Sequence, residues 1–117
     1  MEVGEKIRIM RKKEKLTQEE LGISIGLNVH SAEVRISQYE IGKRKPKIYY
    51  IHLLCQVFDI PICLLLENHD DPFINIYIEL YWLMLKGNEA IYISQLFHVI
   101  SIYDQKRYQE FIKLIKP

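Results

Sequence analysis

Apolar residues recur at intervals of three and four positions along most of this sequence, and that spacing constrains the fold more than any other feature. Side chains so spaced lie on one face of an α-helix, whereas a half-buried strand needs an apolar residue at every second position. Val3, Ile7 and Met10 show the helical spacing near the start. Phe111 and Leu114 show it near the end. No sustained alternation bounded by turn residues occurs, so we predict an all-α protein.

Capping residues and glycines mark the ends of five predicted helices in the first 67 residues. In the capping box Thr17–Glu20, a hydroxyl and a carboxylate can satisfy backbone donors at the start of a second helix. Glycine is common just after a helix because it adopts positive φ at little cost. The other predicted boundaries are an end near Glu14, an end at Gly26, an N-cap at Ser31, an end at Gly42, a start at Pro46, and a fifth short helix over Ile62–Glu67. The side chains expected to pack inward are Leu21, Ile25, Ala32, Ile36, Tyr39, Ile51, Leu54, Cys55 and Phe58.

Residues after Pro72 are more apolar than those before it. Between Pro72 and Tyr103, 21 of 32 residues are apolar, and the predicted helix over Phe73–Lys86 is apolar nearly all round. Such a helix must be covered on every side, so we expect part of this region to form an oligomer interface. The predicted interface residues are Phe73, Ile76, Tyr77, Leu80, Tyr81, Trp82 and Leu85.

Two more helices are predicted after a break at Gly87–Asn88. One covers Glu89–Ile100, and the last begins at a second capping-box-like sequence, Ser101–Asp104. The stretch Asn68–Pro72 has the composition of a linker. We therefore predict a first domain of residues 1–69 and a helical oligomerisation region of residues 70–117.

The formal net charge of +1 conceals an uneven distribution of charge. Residues 1–47 contain eleven Lys or Arg and seven Asp or Glu, a net charge of +4, whereas residues 48–117 contain five and eight, a net charge of −3. The basic residues cluster over Arg8–Lys15 and Lys43–Lys47. A cationic first part favours an anionic partner such as nucleic acid, although a solvated helix face and loop explain many such clusters.

Several functional classes are excluded or disfavoured by the sequence. The longest apolar run, Leu80–Leu85, is far shorter than the ~20 residues of a membrane-spanning helix. The charged first fifteen residues are unlike a signal peptide, and two cysteines suit a reducing compartment, so we expect a cytoplasmic protein. The cysteines and histidines lack metal-ligand spacing, and no nucleophile has a base partner. We expect neither a metal, nor a cofactor, nor an enzymatic activity.

The first 67 residues also contain two short helices separated by a turn, the second followed by a glycine and a basic loop. The relevant residues are Ile7, Arg8, Arg11, Leu16–Leu21, Ile36–Glu40, Gly42–Pro46, Ile51, Leu54, Cys55, Phe58 and Ile60. Together they resemble the helix-turn-helix domain of the Cro and CI type phage repressors, the XRE family. The resemblance implies a five-helix lambda-repressor-like DNA-binding domain in a prokaryotic or phage protein, followed here by a helical dimerisation tail of about three helices.

The resemblance assigns DNA contacts to the third helix, about residues 31–41, which would enter the major groove. The side chains expected to contact base edges are Glu33, Val34, Ser37 and Gln38. The side chains expected to contact the DNA backbone are Gln18, Ser31, Arg35, Lys43, Arg44, Lys45 and Lys47. Arg11 and Glu40 match a family pair that forms a structural salt bridge.

Two features depart from the family pattern. About four extra residues lie between Gly26 and Ile36, so a longer loop replaces the tight turn, and Asn28 or His30 are alternative DNA contacts. Gly22 stands where the family commonly has alanine. A glycine costs ~1 kcal/mol relative to alanine in a helix but permits close helix crossing.

The sequence leaves two functions open. The first is a sequence-specific transcriptional regulator, expected to be a repressor, that binds a palindromic operator in double-stranded DNA as a homodimer. The second is a protein-interaction module, such as an antitoxin or an adaptor, whose helical tail binds a different protein. A regulatory protein partner is compatible with both functions.

Overall fold

The computed structural model describes residues 1–66, 69–87 and 90–115, and within these ranges the chain forms eight helices and no strand. The helices are α1 (Val3–Lys13), α2 (Gln18–Ser24), α3 (Ala32–Glu40), α4 (Ile48–Phe58), α5 (Ile62–Leu66), α6 (Pro72–Lys86), α7 (Ala90–Tyr103) and α8 (Gln105–Ile115). The all-α prediction is confirmed. The chain divides into an N-terminal unit, Met1–Leu65, and a C-terminal unit, Leu66–Pro117. In the described part of the chain, no helix combines the length and the apolar character that crossing a membrane requires.

Capping chemistry sets the helix ends of the N-terminal unit. The predicted capping box is present: the Thr17 hydroxyl accepts from the Glu20 N–H at 3.0 Å, and the Glu20 carboxylate accepts from the Thr17 N–H at 2.9 Å. The hydrogen bond from the Thr17 N–H to the Glu20 carboxylate, with a smaller effect of the Thr17 side chain, holds the pKa of Glu20 below its ordinary value. Gly26 (φ 89°) and Gly42 (φ 77°) follow α2 and α3 with the left-handed backbone that ends a helix.

One predicted helix start in this unit is right and one is wrong. Ser31 is the N-cap residue of α3, as predicted, although its hydroxyl donates to the Asn28 carbonyl and does not accept from the helix. The fourth helix begins at Ile48, with extended Lys47 as its N-cap, rather than at Pro46.

The core of the N-terminal unit contains every side chain that the helical spacing predicts to be inward, from Leu21 to Phe58. The sequence pattern did not predict the burial of Lys6, which is only 1% exposed. Its ammonium group donates to the carbonyl of Leu65 at 3.1 Å. A hydrogen bond therefore links α1 to the last turn of the unit across 59 positions of sequence.

The α2 and α3 helices cross so closely that Gly22 has no room for a side chain. A Cβ added there would lie 2.6 Å from the Cβ of Ala32 and 2.9 Å from the backbone oxygen of the same residue. The expected close crossing is therefore present, and the alanine that the family commonly has at this position would not fit without a shift of α3.

The C-terminal unit is organised around the ring of Phe111. This ring stacks on Phe97 at 5.4 Å between centroids and meets the edges of Tyr77 and Tyr81 at 6.1 and 6.0 Å. Aromatic pairs in these geometries add to the stability that burial provides. The cluster joins α6, α7 and α8.

The helix boundaries of this region differ in part from those predicted. The capping box expected at Ser101–Asp104 is wrong, because α7 continues through Ser101, whose hydroxyl donates to the His98 carbonyl within the same helix. The α6 helix begins with Pro72 at its first position, after an Asp71 N-cap. Four residues named in the predicted linker and breaks lie outside the described residues: Glu67, Asn68, Asn88 and Glu89.

Two aspartates and one arginine tie the ends of α6 and α8 together. Asp71 caps α6 by accepting from the Phe73 N–H and also accepts from Arg107 Nε, both at 2.9 Å. Asp104 accepts from the Tyr77 hydroxyl at 2.6 Å. The hydrogen bond from Arg107 lowers the pKa of Asp71, and that from Tyr77 lowers the pKa of Asp104. Burial, followed by the bond to Asp104, raises the pKa of Tyr77 to about 12.

We expect Gly22→Ala to destabilise the protein by about 1–3 kcal/mol, because the new methyl group overpacks the helix crossing. Helix propensity alone predicts the opposite sign, a gain of about 1 kcal/mol. Urea denaturation decides between them. The control is Ile23→Ala, next in sequence but 47% exposed, which we expect to change the stability far less. An increase in stability for Gly22→Ala would contradict the close crossing.

We also expect the C-terminal unit to lose stability in acid. The pKa values of Asp71 and Asp104 are lowered in the folded state. Their contribution to the free energy of unfolding is therefore complete above the unfolded pKa of about 3.9, and it is lost as the pH falls through the lower folded values. Trp82, the single tryptophan, is buried in this unit, so its fluorescence in urea at pH 7 and pH 3 reports the change. Asp71→Asn with Asp104→Asn should flatten the pH dependence. An unchanged pH dependence in that variant would contradict this role.

Candidate nucleic-acid interface

The α3 helix has one buried face and one face that points away from the unit. Ala32, Ile36 and Tyr39 are at most 2% exposed and hold α3 to the core. The four predicted base-contact residues lie outside that buried stripe: Glu33 and Val34 are exposed, and Ser37 and Gln38 are partly exposed. The side chains of an outward helix face are the ones that can reach base edges in a major groove.

One exposed apolar residue on this face was missed by the sequence analysis. Ile41, directly after α3, is 72% exposed and lies seven positions after Val34, which is 60% exposed. Seven positions are close to two helical turns, so the two side chains stand on the same face. That interval in the sequence could have identified Ile41. Apolar side chains in a major groove contact thymine methyl groups.

The extra residues before α3 form a compact turn rather than an open loop. The Asn28 carbonyl accepts from the N–H groups of Ser31 and Ala32, at 3.0 and 2.8 Å, and its side chain accepts from the His30 N–H at 2.9 Å. Leu27 is buried at 9% exposure, so the turn contributes to the core. Asn28 therefore organises the start of α3, while the side chain of His30 remains exposed.

The basic loop after α3 is fixed to the end of that helix. The Arg44 N–H donates to the Gln38 carbonyl, and the Gly42 N–H donates to the Tyr39 carbonyl, both at 3.2 Å. The four cationic side chains of the loop are all exposed: Lys43, Arg44, Lys45 and Lys47. Cations in this position complement the negative end of the α3 dipole and are available to phosphate groups.

Arg11 and Glu40 form the ion pair that the resemblance implies. The guanidinium group donates twice to the carboxylate, from Nε and Nη2, each at 3.0 Å, and Nη1 donates to the Leu16 carbonyl at 3.0 Å. The side chains are 13% and 3% exposed. One guanidinium group thus holds together α1, the turn before α2, and the end of α3.

The start of α2 is less cationic than the basic loop. The Gln18 side-chain amide donates to Glu40 at 3.4 Å, so this predicted phosphate contact also belongs to the Arg11 network. Glu19 and Glu33 line the same cleft as Gln18. Two carboxylates therefore border the position at which a phosphate would meet the α2 N-terminus.

A family model described as helix-turn-helix matches residues 7–65, half of the chain. The chain belongs to the helix-turn-helix family. The family is one of DNA-binding, non-enzymatic domains, and the match supports an XRE-type, DNA-binding transcriptional regulator. No curated protein and no solved structure matches the chain.

The cysteines lie in the helix-turn-helix unit and are both free thiols. Burial, with a smaller effect of neighbouring Cys63, raises the pKa of the Cys55 thiol to about 11. It is therefore protonated at neutral pH, whereas metal binding and nucleophilic attack need the thiolate. Within the described ranges, no group of three or more His, Cys, Asp or Glu side chains is arranged to hold a metal ion.

Burial changes the set of predicted interface residues on α6. Tyr77 and Trp82 are 6% and 0% exposed within one copy of the chain, which argues against a direct contact of either side chain with a partner. Leu80, Tyr81 and Leu85 are partly exposed. Only Phe73 and Ile76, at 49% and 53%, are well exposed members of the set. The uniform apolar composition of α6 hid this distinction.

We expect Arg11→Met and Glu40→Gln each to destabilise the protein by about 2–4 kcal/mol, because each leaves a largely buried polar partner uncompensated. The double variant should be more stable than the sum of the two losses predicts, since both partners are then removed. Urea denaturation of all four proteins measures this coupling. Lys12→Met, at an exposed position of the same helix, is the control. Strict additivity of the two losses would refute a coupled pair.

Proposed function

We propose that this chain is a repressor that binds a palindromic operator as a homodimer, with α3 in the major groove. The observation that carries the proposal is the arrangement at the end of α3. The outward face with Ser37 and Gln38 is joined to the cationic loop through the hydrogen bond from Arg44 to the Gln38 carbonyl. The hydrogen bond holds the cationic loop, which suits phosphate groups, at a fixed distance from the α3 side chains that suit base edges.

The α3 side chains suit different base edges. The Gln38 amide can pair bidentately with adenine, and Ser37 can donate or accept a hydrogen bond. Val34, with Ile41 on the same face, suits thymine methyl groups. Glu33 can accept from cytosine, and because it lines the cleft at the start of α2 together with Glu19, its carboxylate would also penalise a misplaced phosphate.

The remaining cationic and polar side chains suit the DNA backbone. Lys43, Arg44, Lys45 and Lys47 extend along one loop and neutralise phosphates regardless of sequence. We assign Arg35 and Ser31, on the flank and at the start of α3, to the same role. Gln18 is a weaker candidate because its amide already donates to Glu40. His30, exposed on the long turn, is a further candidate contact.

The small number of contacts that one unit offers supports a homodimer. A single short recognition helix reaches few base pairs, and two-fold symmetry would place two such helices one DNA turn apart, or a multiple of it. A dimer that occupies an operator would block the access of other proteins to that DNA, which is sufficient for repression. We propose a cytoplasmic location with this function.

The second candidate is a protein-interaction module, an antitoxin or an adaptor, whose C-terminal unit binds a different protein. It is favoured by exposed apolar side chains on α7, among them Tyr92 at 74% and Tyr103 at 86%. Such a module has no need of base readout.

Selection of bound duplexes from a random pool tests the proposal, followed by titration of the enriched duplex at several salt concentrations. We expect one palindromic motif and a steep loss of affinity with salt, because several phosphate contacts release counterions. A flat salt dependence without an enriched motif would refute the regulator and favour the interaction module.

Two variants separate base readout from phosphate contact within the same experiment. Gln38→Ala should change the preference at one or two base pairs of each half-site, at a cost of about 1–3 kcal/mol there. Lys45→Ala should weaken all duplexes alike and reduce the salt slope by about one. An equal loss on every sequence for Gln38→Ala would contradict its readout role.

A further inference from the structure

An apolar stripe runs along the exposed side of α7. Tyr92, Leu96, Val99 and Tyr103 are spaced four, three and four positions apart and are 74%, 43%, 47% and 86% exposed. Ile91 and Ile102, at 72% and 62%, flank them. These six residues are called the α7 stripe. The spacing places the four central side chains on one helix face, in the pattern of a helix-pair seam.

The inward side of α7 fixes the stripe in its outward position. Ile93 and Phe97 are 7% and 9% exposed, and the Phe97 ring stacks on Phe111 with an interplanar angle of only 3°. Rotation of α7 to bury the stripe in its own unit would pull Phe97 out of this stack. The stripe must therefore be covered from outside the unit or remain in water.

The composition of α7 is unusual for a helix face in water. Between Ala90 and Tyr103 the chain contains no Asp, Glu, Lys or Arg. The neighbouring α8 carries Lys106, Glu110 and Lys113 at exposed positions, as a solvated helix normally does. Exposed apolar residues that occur singly need no explanation, but a row of large ones along one helix face is typical of an interaction site.

The stripe is large enough for a stable interface. Six side chains of this size, at their observed exposures, present on the order of 800 Å² of surface. A standard protein interface buries about 800 Å² on each partner. The α6 helix has three exposed large apolar residues, Phe73, Ile76 and Leu83, at 49%, 53% and 37%, against six on α7.

We infer that the α7 stripe binds the α7 stripe of a second copy of this chain, across a two-fold axis. Across a two-fold axis, both copies contribute the same helix face to the interface. Each contact between two different residues therefore occurs twice, once in each direction. Because α7 carries no Asp, Glu, Lys or Arg, two identical faces meet without the like-charge repulsion that usually opposes self-association. The inference rests on the proposed homodimer and assigns its interface to α7 rather than to α6.

The test measures the molar mass of the full chain by light scattering and sedimentation from about 1 to 100 µM, where an interface of this size is expected to associate. The variants are Leu96→Glu and Val99→Glu in the stripe, with Ile76→Glu on α6 as the matched control at similar exposure. Glutamate is a good helix former, so α7 keeps its helical preference. Far-UV circular dichroism and Trp82 fluorescence verify that each variant is folded.

We expect a dimer for the unmodified chain and for Ile76→Glu, and a monomer at all concentrations for Leu96→Glu and Val99→Glu. A monomeric unmodified chain would overturn the inference. A dimer that survives both stripe variants, or that Ile76→Glu dissociates while Val99→Glu does not, would overturn it as well.

Binding to the selected duplex separates this inference from the proposed function. Val99→Glu should keep the affinity for an isolated half-site within about twofold and lose at least tenfold on the full palindrome. Absence of DNA binding by the unmodified chain, together with a dimer that Val99→Glu dissociates, would refute the repressor and leave the α7 interface intact.

Discussion

The close approach of Gly22 and Ala32 determines how the rest of the N-terminal unit is arranged. Without a side chain at Gly22, α3 lies directly on α2, and this contact fixes which residues of α3 face the core. Ile36 and Tyr39 are then buried, and Val34 and Ser37 are directed outward. The bidentate pair of Arg11 with Glu40 holds the far end of α3 to α1. Packing at one end and an ion pair at the other thus orient one short helix.

Much of this arrangement could be predicted from the sequence, because local signals were strong. The capping box at Thr17, the glycines after α2 and α3, and the three-four spacing of apolar residues each depend on neighbours within a few positions. Long-range effects were not visible in that way. The burial of Lys6 requires a carbonyl 59 positions away. The start of α4 was misjudged for a local reason, because Lys47 takes the extended capping conformation and the helix begins after it.

The C-terminal unit was harder to predict for a related reason. When nearly all positions of a helix are apolar, periodicity cannot distinguish a buried face from an exposed one. Trp82 and Phe73 are both aromatic, yet the first is 0% and the second 49% exposed, a difference that arises only from the packing of the folded unit. The candidate base contacts on α3 were easier, since a polar face opposes a clear apolar stripe there.

The hydrogen bond between Lys6 and Leu65 has a consequence for how the DNA-binding unit forms during synthesis. The donor is translated 59 residues before the acceptor, which is the last residue of the unit. A nascent chain that ends before position 65 lacks one acceptor for a buried ammonium group, and a contact of such long range forms late because loop closure must precede it. The unit therefore reaches its final stability only after its whole length has been translated, and shorter fragments remain exposed to proteolysis.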